Sequence, residues 1–153
     1  MNLRTIPIAA IMVTLTHIVI AQEKKIERSA LPPTVEKAVQ AETQGATIKG
    51  FAQEHEHGKT FYEAETTVNG HTRDVLFAAD GSIVEIEEEV AFSSLPANVQ
   101  TALTKKAAGA KINRVESLTK NGKLVAYEAA ITQGKTNREI QVGPSGQNLT
   151  KEE

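Results

Sequence analysis

"GKTFYEAETTVNG", residues 58–70, is written a second time, with small changes, as "GKLVAYEAAITQG", residues 122–134. Both stretches open on Gly-Lys, carry Tyr-Glu-Ala near the middle and close on Gly. Each reads as the arm of an antiparallel hairpin, because in the first copy Tyr62, Ala64, Thr66 and Val68 fall on one face and Glu63, Glu65 and Thr67 on the other. Asn69-Gly70 after the first copy accepts the positive φ angles that a two-residue hairpin turn needs.

Outward from these arms the repetition extends over most of the chain. Leu31-Pro32 returns as Leu95-Pro96, Val35 as Val99, Ala38 as Ala102, Gly45-Ala46 as Gly109-Ala110 and Ile48 as Ile112. After single-residue shifts, Tyr62-Glu63-Ala64 aligns with Tyr127-Glu128-Ala129, Arg73-Asp74-Val75 with Arg138-Glu139-Ile140, and Gly81 with Gly146. Fixed-period self-similarity means that one structural unit is built twice.

Each unit opens with a short amphipathic helix. Leu31, Val35, Ala38 and Val39 share a face, the prolines at 32 and 33 suit a first turn, and Gly45 stands where a left-handed cap belongs. Leu95, Val99, Ala102 and Leu103, with Pro96 ahead and Gly109 behind, repeat the arrangement. Strands follow, expected at 47–53, 60–68, 72–78 and 83–88, and again at 111–118, 125–132, 137–142 and, weakly, 147–150. A unit near 60 residues hides only about 60% of its unfolded surface, so the two are expected to join, most simply through neighbouring sheet edges. The expected fold class is α+β: two tandem repeats, each with one or two short helices packed on a four-stranded antiparallel sheet, joined as one pseudo-symmetric body. Residues 87–94 are too short and too apolar for a free linker.

Residues 6–21 are almost wholly apolar, follow Arg4 and end in Val19-Ile20-Ala21 before the polar Gln22-Glu23-Lys24-Lys25. That is the layout of a cleaved secretory signal; a retained anchor would need about 20 apolar residues. The expected organisation is a signal peptide at 1–21, an N-terminal lead at 22–30, one repeat at 31–89 and a second at 90–153, with the mature protein in the periplasm or secreted. Loss of the signal moves the net charge from −2 to −3, since it carries Arg4 and no acid. Such a balance gives no electrostatic footprint for nucleic acid or an anionic membrane. The absence of cysteine means that packing alone holds the fold.

The order of motifs resembles the exported PepSY-like proteins and the tandem-repeat fold typified by the β-lactamase inhibitor protein: a Leu-Pro helix start, a Gly-Ala-x-Ile step into the first strand, a Gly-Lys hairpin, a Tyr-Glu strand, and an Asp-Gly turn before an acidic last strand. The likeness runs from Leu31 to Glu153. The second unit departs from the pattern with Ser145-Gly146 in place of Asp-Gly. The resemblance implies a non-enzymatic binding module that engages a secreted peptidase or other hydrolase through its sheet surface, with no cofactor.

Three constellations invite chemistry. In Glu54-His55-Glu56-His57, His55 and His57 point to the same face of an extended segment, as zinc or copper ligands can. His71 stands roughly 25 Å away at the far end of the next strand, and a solvated hairpin tip is the expected reading. His55 and His57, with the acidic strand, remain the candidates for an alternative role in metal-ion binding or sensing. Glu63 and Glu65 would sit roughly 6 to 7 Å apart, a spacing used by acid–base pairs, but nothing adjacent in sequence supplies a cleft that would raise one pKa, so a solvated face is expected. The run Glu85, Glu87, Glu88 and Glu89 likewise reads as wet surface. With no Gly-x-Ser-x-Gly elbow and no phosphate loop, no enzyme is expected. Tyr62 and Tyr127, equivalent in the two copies, are the candidate partner-binding residues, with anchoring of the helix-to-sheet core as their other role.

Overall fold

The computed structural model describes residues 23–56 and 58–150. The signal peptide expected at 1–21, His57 and the last three residues lie outside the described residues. Eight strands form one continuous antiparallel sheet in chain order: β1 (Lys24–Ile26), β2 (Thr47–Glu56), β3 (Lys59–Val68), β4 (His71–Ala78), β5 (Ile83–Glu89), β6 (Lys111–Lys120), β7 (Lys123–Gln133) and β8 (Thr136–Val142). Helix α1 (Pro33–Glu42) precedes β2, and α2 (Ala97–Ala107) precedes β6.

Proline begins both helices as the spacing requires. Pro33 occupies the first helical position of α1, and Pro96 directly precedes α2. Neither helix has a side-chain N-cap, so packing must hold the ends. At the C-terminus of α2, Ala108 itself adopts the left-handed conformation at φ 50° and Gly109 follows at φ 83°.

Both helices lie on the same face of the sheet. Under α1, Leu31, Val35 and Val39 pack against Phe51, Ala64, Val75 and Phe77. Under α2, Val99, Leu103 and Ala107 pack against Val115, Ala129, Ile131, Ile140 and Val142. Val35, Ala64, Val75 and Phe77 are fully buried, and burial of side chains this size stabilises by roughly 1.5–3 kcal/mol each for the larger ones. Two-residue alternation sends the intervening side chains to the opposite, helix-free face.

The sheet halves are joined by β5 and β6, paired Glu85↔Lys120 through Glu89↔Glu116. Between β5 and α2, the Val90 amide donates to the Val115 carbonyl and Phe92–Ser94 form a 3-10 turn. Val90 and Phe92 pack on the second core, which is why this stretch is no free linker.

Two differences from the sequence reading concern the ends. Lys24–Ile26, read as lead, form β1 against Gln53–Phe51 of β2, and Ile26 seals the edge of the first core. Residues 147–150, expected as a fourth strand of the second unit, are not a strand. Leu149 is the one apolar residue among these four, too little for an alternating apolar face, and Pro144 has no amide to donate. The second helix therefore covers three strands, and β8 is the sheet's edge.

One local device recurs despite different chemistry. The Thr34 hydroxyl donates to the Ala79 carbonyl at 2.7 Å, tying α1 to the β4–β5 turn. The Asn98 side-chain amide donates to the Ser145 carbonyl at 2.6 Å, tying α2 to the turn after β8. In both turns a glycine with positive φ, Gly81 at 86° and Gly146 at 77°, presses on the first turn of the helix. A Cβ there would stand 2.7 Å from the Thr34 oxygen or 2.6 Å from the Asn98 oxygen. Gly45 also has positive φ, at 79°, but open space around it.

Gly81→Ala and Gly146→Ala are each expected to lower stability by about 2 kcal/mol or more, since an unfavourable φ adds to a backbone clash. Gly45→Ala should lose only about 1 kcal/mol. Urea denaturation of the three variants measures the difference; equal losses at all three sites would show that the helix-to-turn contact carries no weight.

Candidate functional site

The helix-free face is the side of the sheet whose chemistry is unusual. β2 contributes Glu54, β3 contributes Glu63 and Glu65, β4 contributes Asp74 and Leu76, and β5 contributes Glu85 and Glu87. Strand register sets them in two rows, Glu63–Leu76–Glu85 and Glu65–Asp74–Glu87, each residue directly opposite the next. Directly opposed side chains on neighbouring strands have Cβ atoms about 4.5–5.5 Å apart, and like charges there are destabilising. Glu54, Glu63, Asp74, Leu76, Glu85 and Glu87 line a small cavity of about 70 Å³.

Counter-charges sit at the margins of this cluster. Lys25 Nζ is 3.3 Å from Glu65, and Lys120 Nζ is 3.5 Å from Glu85. Asp74 accepts a hydrogen bond from the Thr66 amide at 3.0 Å. Among the described residues no cation pairs with Glu54, Glu63 or Glu87. Burial first, and then the negative charges of Asp74, Glu54, Glu23 and Glu65, push the Glu63 carboxyl up to about 8. Burial, followed by Glu85, Glu128, Glu116 and Glu63, pushes Glu87 up to about 8 as well. Glu54 and Asp74 are raised too, in both cases chiefly by burial.

Across the β6–β8 half of the same face Glu116 and Glu128 stand directly opposite each other, and each has a partner. Glu116, buried with 4% of its surface exposed, accepts from the Thr72 hydroxyl at 3.1 Å and pairs with Arg114 at 3.2 Å. The Gln141 amide donates to Glu128 at 2.7 Å. Leu118 and Ala126 belong to neither helix-side cluster yet are sealed from solvent between these groups. Beyond them a shallow groove of about 560 Å³ runs past Asn113, Arg114, Thr132 and Arg138.

Among the described residues, the fold sets His55 and His71 apart and gathers the acids. His55 is exposed near the end of β2, with Nδ1 3.0 Å from the Thr60 hydroxyl. His57 lies outside the described residues. His71 stands 3.4 Å from Glu89 at the other end of the sheet. Tyr62 and Tyr127 are half-buried against the first and second helix-side cores, so neither ring points to the helix-free face. Glu63, Glu65 and the run at 85–89 are not the plain solvated surface expected for them: Glu63, Glu85 and Glu87 are half-buried around the cavity, and only Glu88 is turned fully outward. The expectation fails because the cleft walls come from other strands. The oxygens of Glu23, Glu63 and Glu65 lie within 4.8 Å of one another, a second grouping that local sequence does not reveal.

A cavity of about 70 Å³ is far below the roughly 300–1,000 Å³ of small-molecule pockets. It has room for a group the size of two water molecules at about 30 Å³ each. What the arrangement can do is accept positive charge, or donate hydrogen bonds from carboxyls that hold protons near neutrality.

No protein-family model matches the chain, and no curated protein matches it. Solved structures do share its fold. A BLIP-like protein from Bacteroides fragilis superposes with a TM-score of 0.55 at 22% identity, over 76% of this chain and 81% of that one. A protein described as periplasmic from Bacteroides eggerthii gives 0.62 at 18% identity, over 76% and 84%. A DUF2874 family protein from Bacteroides uniformis gives 0.60 at 20% identity, over 76% and 84%. The fold of this chain is thus α+β and BLIP-like. No helix among the described residues is long and apolar enough to cross a membrane.

Stability should follow pH in a direction set by Glu63 and Glu87. Both hold protons in the folded protein up to about pH 8, whereas in the unfolded chain they release them near their ordinary value. Between those limits the folded state binds more protons than the unfolded state, so stability falls as pH rises from about 4.5 to about 8. Glu63→Gln and Glu87→Gln should each flatten that fall and be more stable than the parent at pH 8 by on the order of 1–2 kcal/mol. Thermal melts at a series of pH values decide; a parent whose stability rises across this window would refute the burial of these carboxyls.

Proposed function

We propose that this chain is an exported, non-enzymatic binding protein built as two PepSY-like repeats, 31–89 and 90–153, that docks a protein partner on the helix-free face of its sheet. A secreted peptidase or other hydrolase is the class of partner, as the PepSY resemblance implies. The observation that carries the reading is the state of that face: Asp74 stands between Glu65 and Glu87 on neighbouring strands, and among the described residues the half-buried Glu54, Glu63 and Glu87 have no cation against them, an arrangement that neither packing nor solubility calls for. The BLIP-like fold supports a mode of action through sheet surface, and the periplasmic description of a structural neighbour supports export. The duplicated unit is supported by the paired helix-to-turn contacts at Gly81 and Gly146. A contribution from Tyr62 and Tyr127 to partner binding is confined to their exposed edges on the helix side.

A second reading, binding of a divalent cation, is favoured by the convergence of Glu23, Glu63 and Glu65. Carboxylate oxygens suit Ca²⁺ better than the His55 and His57 pair suits it.

Affinity capture from the exported fraction of the source organism tests the first reading when two variants are compared. Leu76→Trp fills the cavity, and Lys37→Trp alters the exposed side of α1. Loss of about tenfold or more of the captured partner with Leu76→Trp alone, both variants remaining folded by circular dichroism, is the expected result. Equal capture by both, or an empty capture by the parent, would refute docking on this face. Melting with Ca²⁺ tests the second reading: at a hundred times its dissociation constant a ligand adds about 2.7 kcal/mol, and an unchanged melt at millimolar Ca²⁺ would eliminate it.

A further inference from the structure

We propose that the β2–β5 part of the helix-free face docks a basic, extended segment of the partner, with one Lys or Arg head seated among Glu54, Glu63, Asp74 and Glu87. The inference rests on the reading of this face as the docking surface and names the chemistry of its occupant.

Charge complementarity is the first argument. The row Glu65–Asp74–Glu87 sets three acids side by side, with Glu63 and Glu54 beside them. Of the chain's own cations, Lys25 pairs with Glu65 and Lys120 with Glu85, and the charge of Arg114 acts on Asp74. Glu54, Glu63 and Glu87 have no cation against them among the described residues. A cation brought by a partner lowers the energy of every carboxylate around it, and burial strengthens the attraction relative to bulk water.

Shape supplies the second argument. The cavity of about 70 Å³ fits an ammonium or guanidinium head and little more. Leu76 lies in its lining, and Phe61, two residues before Glu63 on β3, is half-buried on the same face. Both offer apolar surface for the methylene stem that a lysine or arginine carries behind its charge. The contrast with the β6–β8 half points the same way. There Glu116 and Glu128 are answered by Thr72, Arg114 and Gln141 from within the chain, leaving the β2–β5 half as the region that gains most from an incoming cation.

The test uses the purified protein and two synthetic peptides, (Lys-Thr)4 and (Glu-Thr)4, each with blocked ends, followed by ¹⁵N–¹H NMR titration. The expected result is binding of (Lys-Thr)4 alone, with amide shifts concentrated on β2–β5. Its affinity should weaken about tenfold between about 20 and about 200 mM NaCl. It should also weaken about fivefold or more in the Glu63→Gln/Glu87→Gln variant, while Lys37→Gln leaves it unchanged. Absence of binding at millimolar peptide, shifts centred on the helices or on the groove beside Arg114, or undiminished affinity in the double Gln variant would each overturn the proposal. So would full displacement of the peptide by 1 mM Ca²⁺ with new shifts at Glu23, Glu63 and Glu65, which would identify a metal site instead. Failure here with Leu76→Trp still abolishing partner capture would remove the basic segment and keep the docking face. Retention of capture by Leu76→Trp would remove the face itself.

Discussion

The ladder between β5 and β6 is the interaction on which the rest of the architecture depends. It pairs Glu85 with Lys120, Glu87 with Leu118 and Glu89 with Glu116, turning two helix-bearing sheets into one. Each half alone would expose a long strand edge and bury a core at the lower limit of self-sufficiency. The ladder also fixes faces. Because Ile86 stands opposite Thr119 and Val115 shares a side with Thr119, both helices fall on the same side and the whole opposite surface is left to the strands' own side chains.

That surface is closed in two different ways. α1 and α2 have 10 and 11 residues, about 15–17 Å of helix each, and they cover one side only. Over β6–β8, polar groups answer one another: Thr72 reaches across β5 to Glu116, Arg114 pairs with the same carboxylate, and Gln141 bonds Glu128. Leu118 and Ala126 are sealed beneath them. Over β2–β5, Asp74 stands between Glu65 and Glu87, and burial first, with the neighbouring negative charges second, holds protons on Glu63 and Glu87 well above the usual carboxylate range. Acids oppose acids in both halves, since Glu116 stands between Glu89 and Glu128. The β2–β5 half is the frustrated one because Arg114, Thr72 and Gln141 answer Glu116 and Glu128, while no cation among the described residues answers Glu54, Glu63 or Glu87.

Much of this architecture is legible in the amino-acid sequence. The helical spacing of Leu31, Val35 and Val39, the glycines that follow each helix and the Asn-Gly turn name the elements and their order. The acidic centre is legible in part: a two-residue turn at Asn69-Gly70 pairs Val68 with His71, and counting back places Glu65 opposite Asp74 and Glu63 opposite Leu76. The rest of the row is not, because a bulge at Leu76/Phe77 shifts the β4–β5 register and the β5–β6 pairing joins segments separated by a helix. Ser145-Gly146 reads as a break in the pattern. Its turn is nonetheless held as its counterpart is, the Ser145 amide and hydroxyl both donating to Gln147 Oε1 where the Ser82 amide and hydroxyl donate to Asp80. Sequence identity is lost there while hydrogen-bonding capacity is kept, and only geometry shows it. β1 is hidden because three residues are too few to display alternation.

The frustrated half bears most directly on function. A strand position opposite a like charge is occupied more favourably by a neutral or oppositely charged residue, and the chain does supply such residues on the same face, at Lys120, Arg114 and Gln141. Acids are opposed in both halves, at Glu65–Asp74–Glu87 and at Glu89–Glu116–Glu128. Among the described residues, however, no cation stands against Glu54, Glu63 or Glu87, and a region left so is the place to look for a role that stability does not explain. Here the broken rule is specific in sign, since Glu65, Asp74 and Glu87 form one unbroken acidic row. The row is also specific in position, on the face that neither helix covers. A complementary positive charge is the one addition that would relieve all of these contacts at once without moving a strand, and the fold contains no further cation placed to provide it among the described residues around Glu54, Glu63 and Glu87.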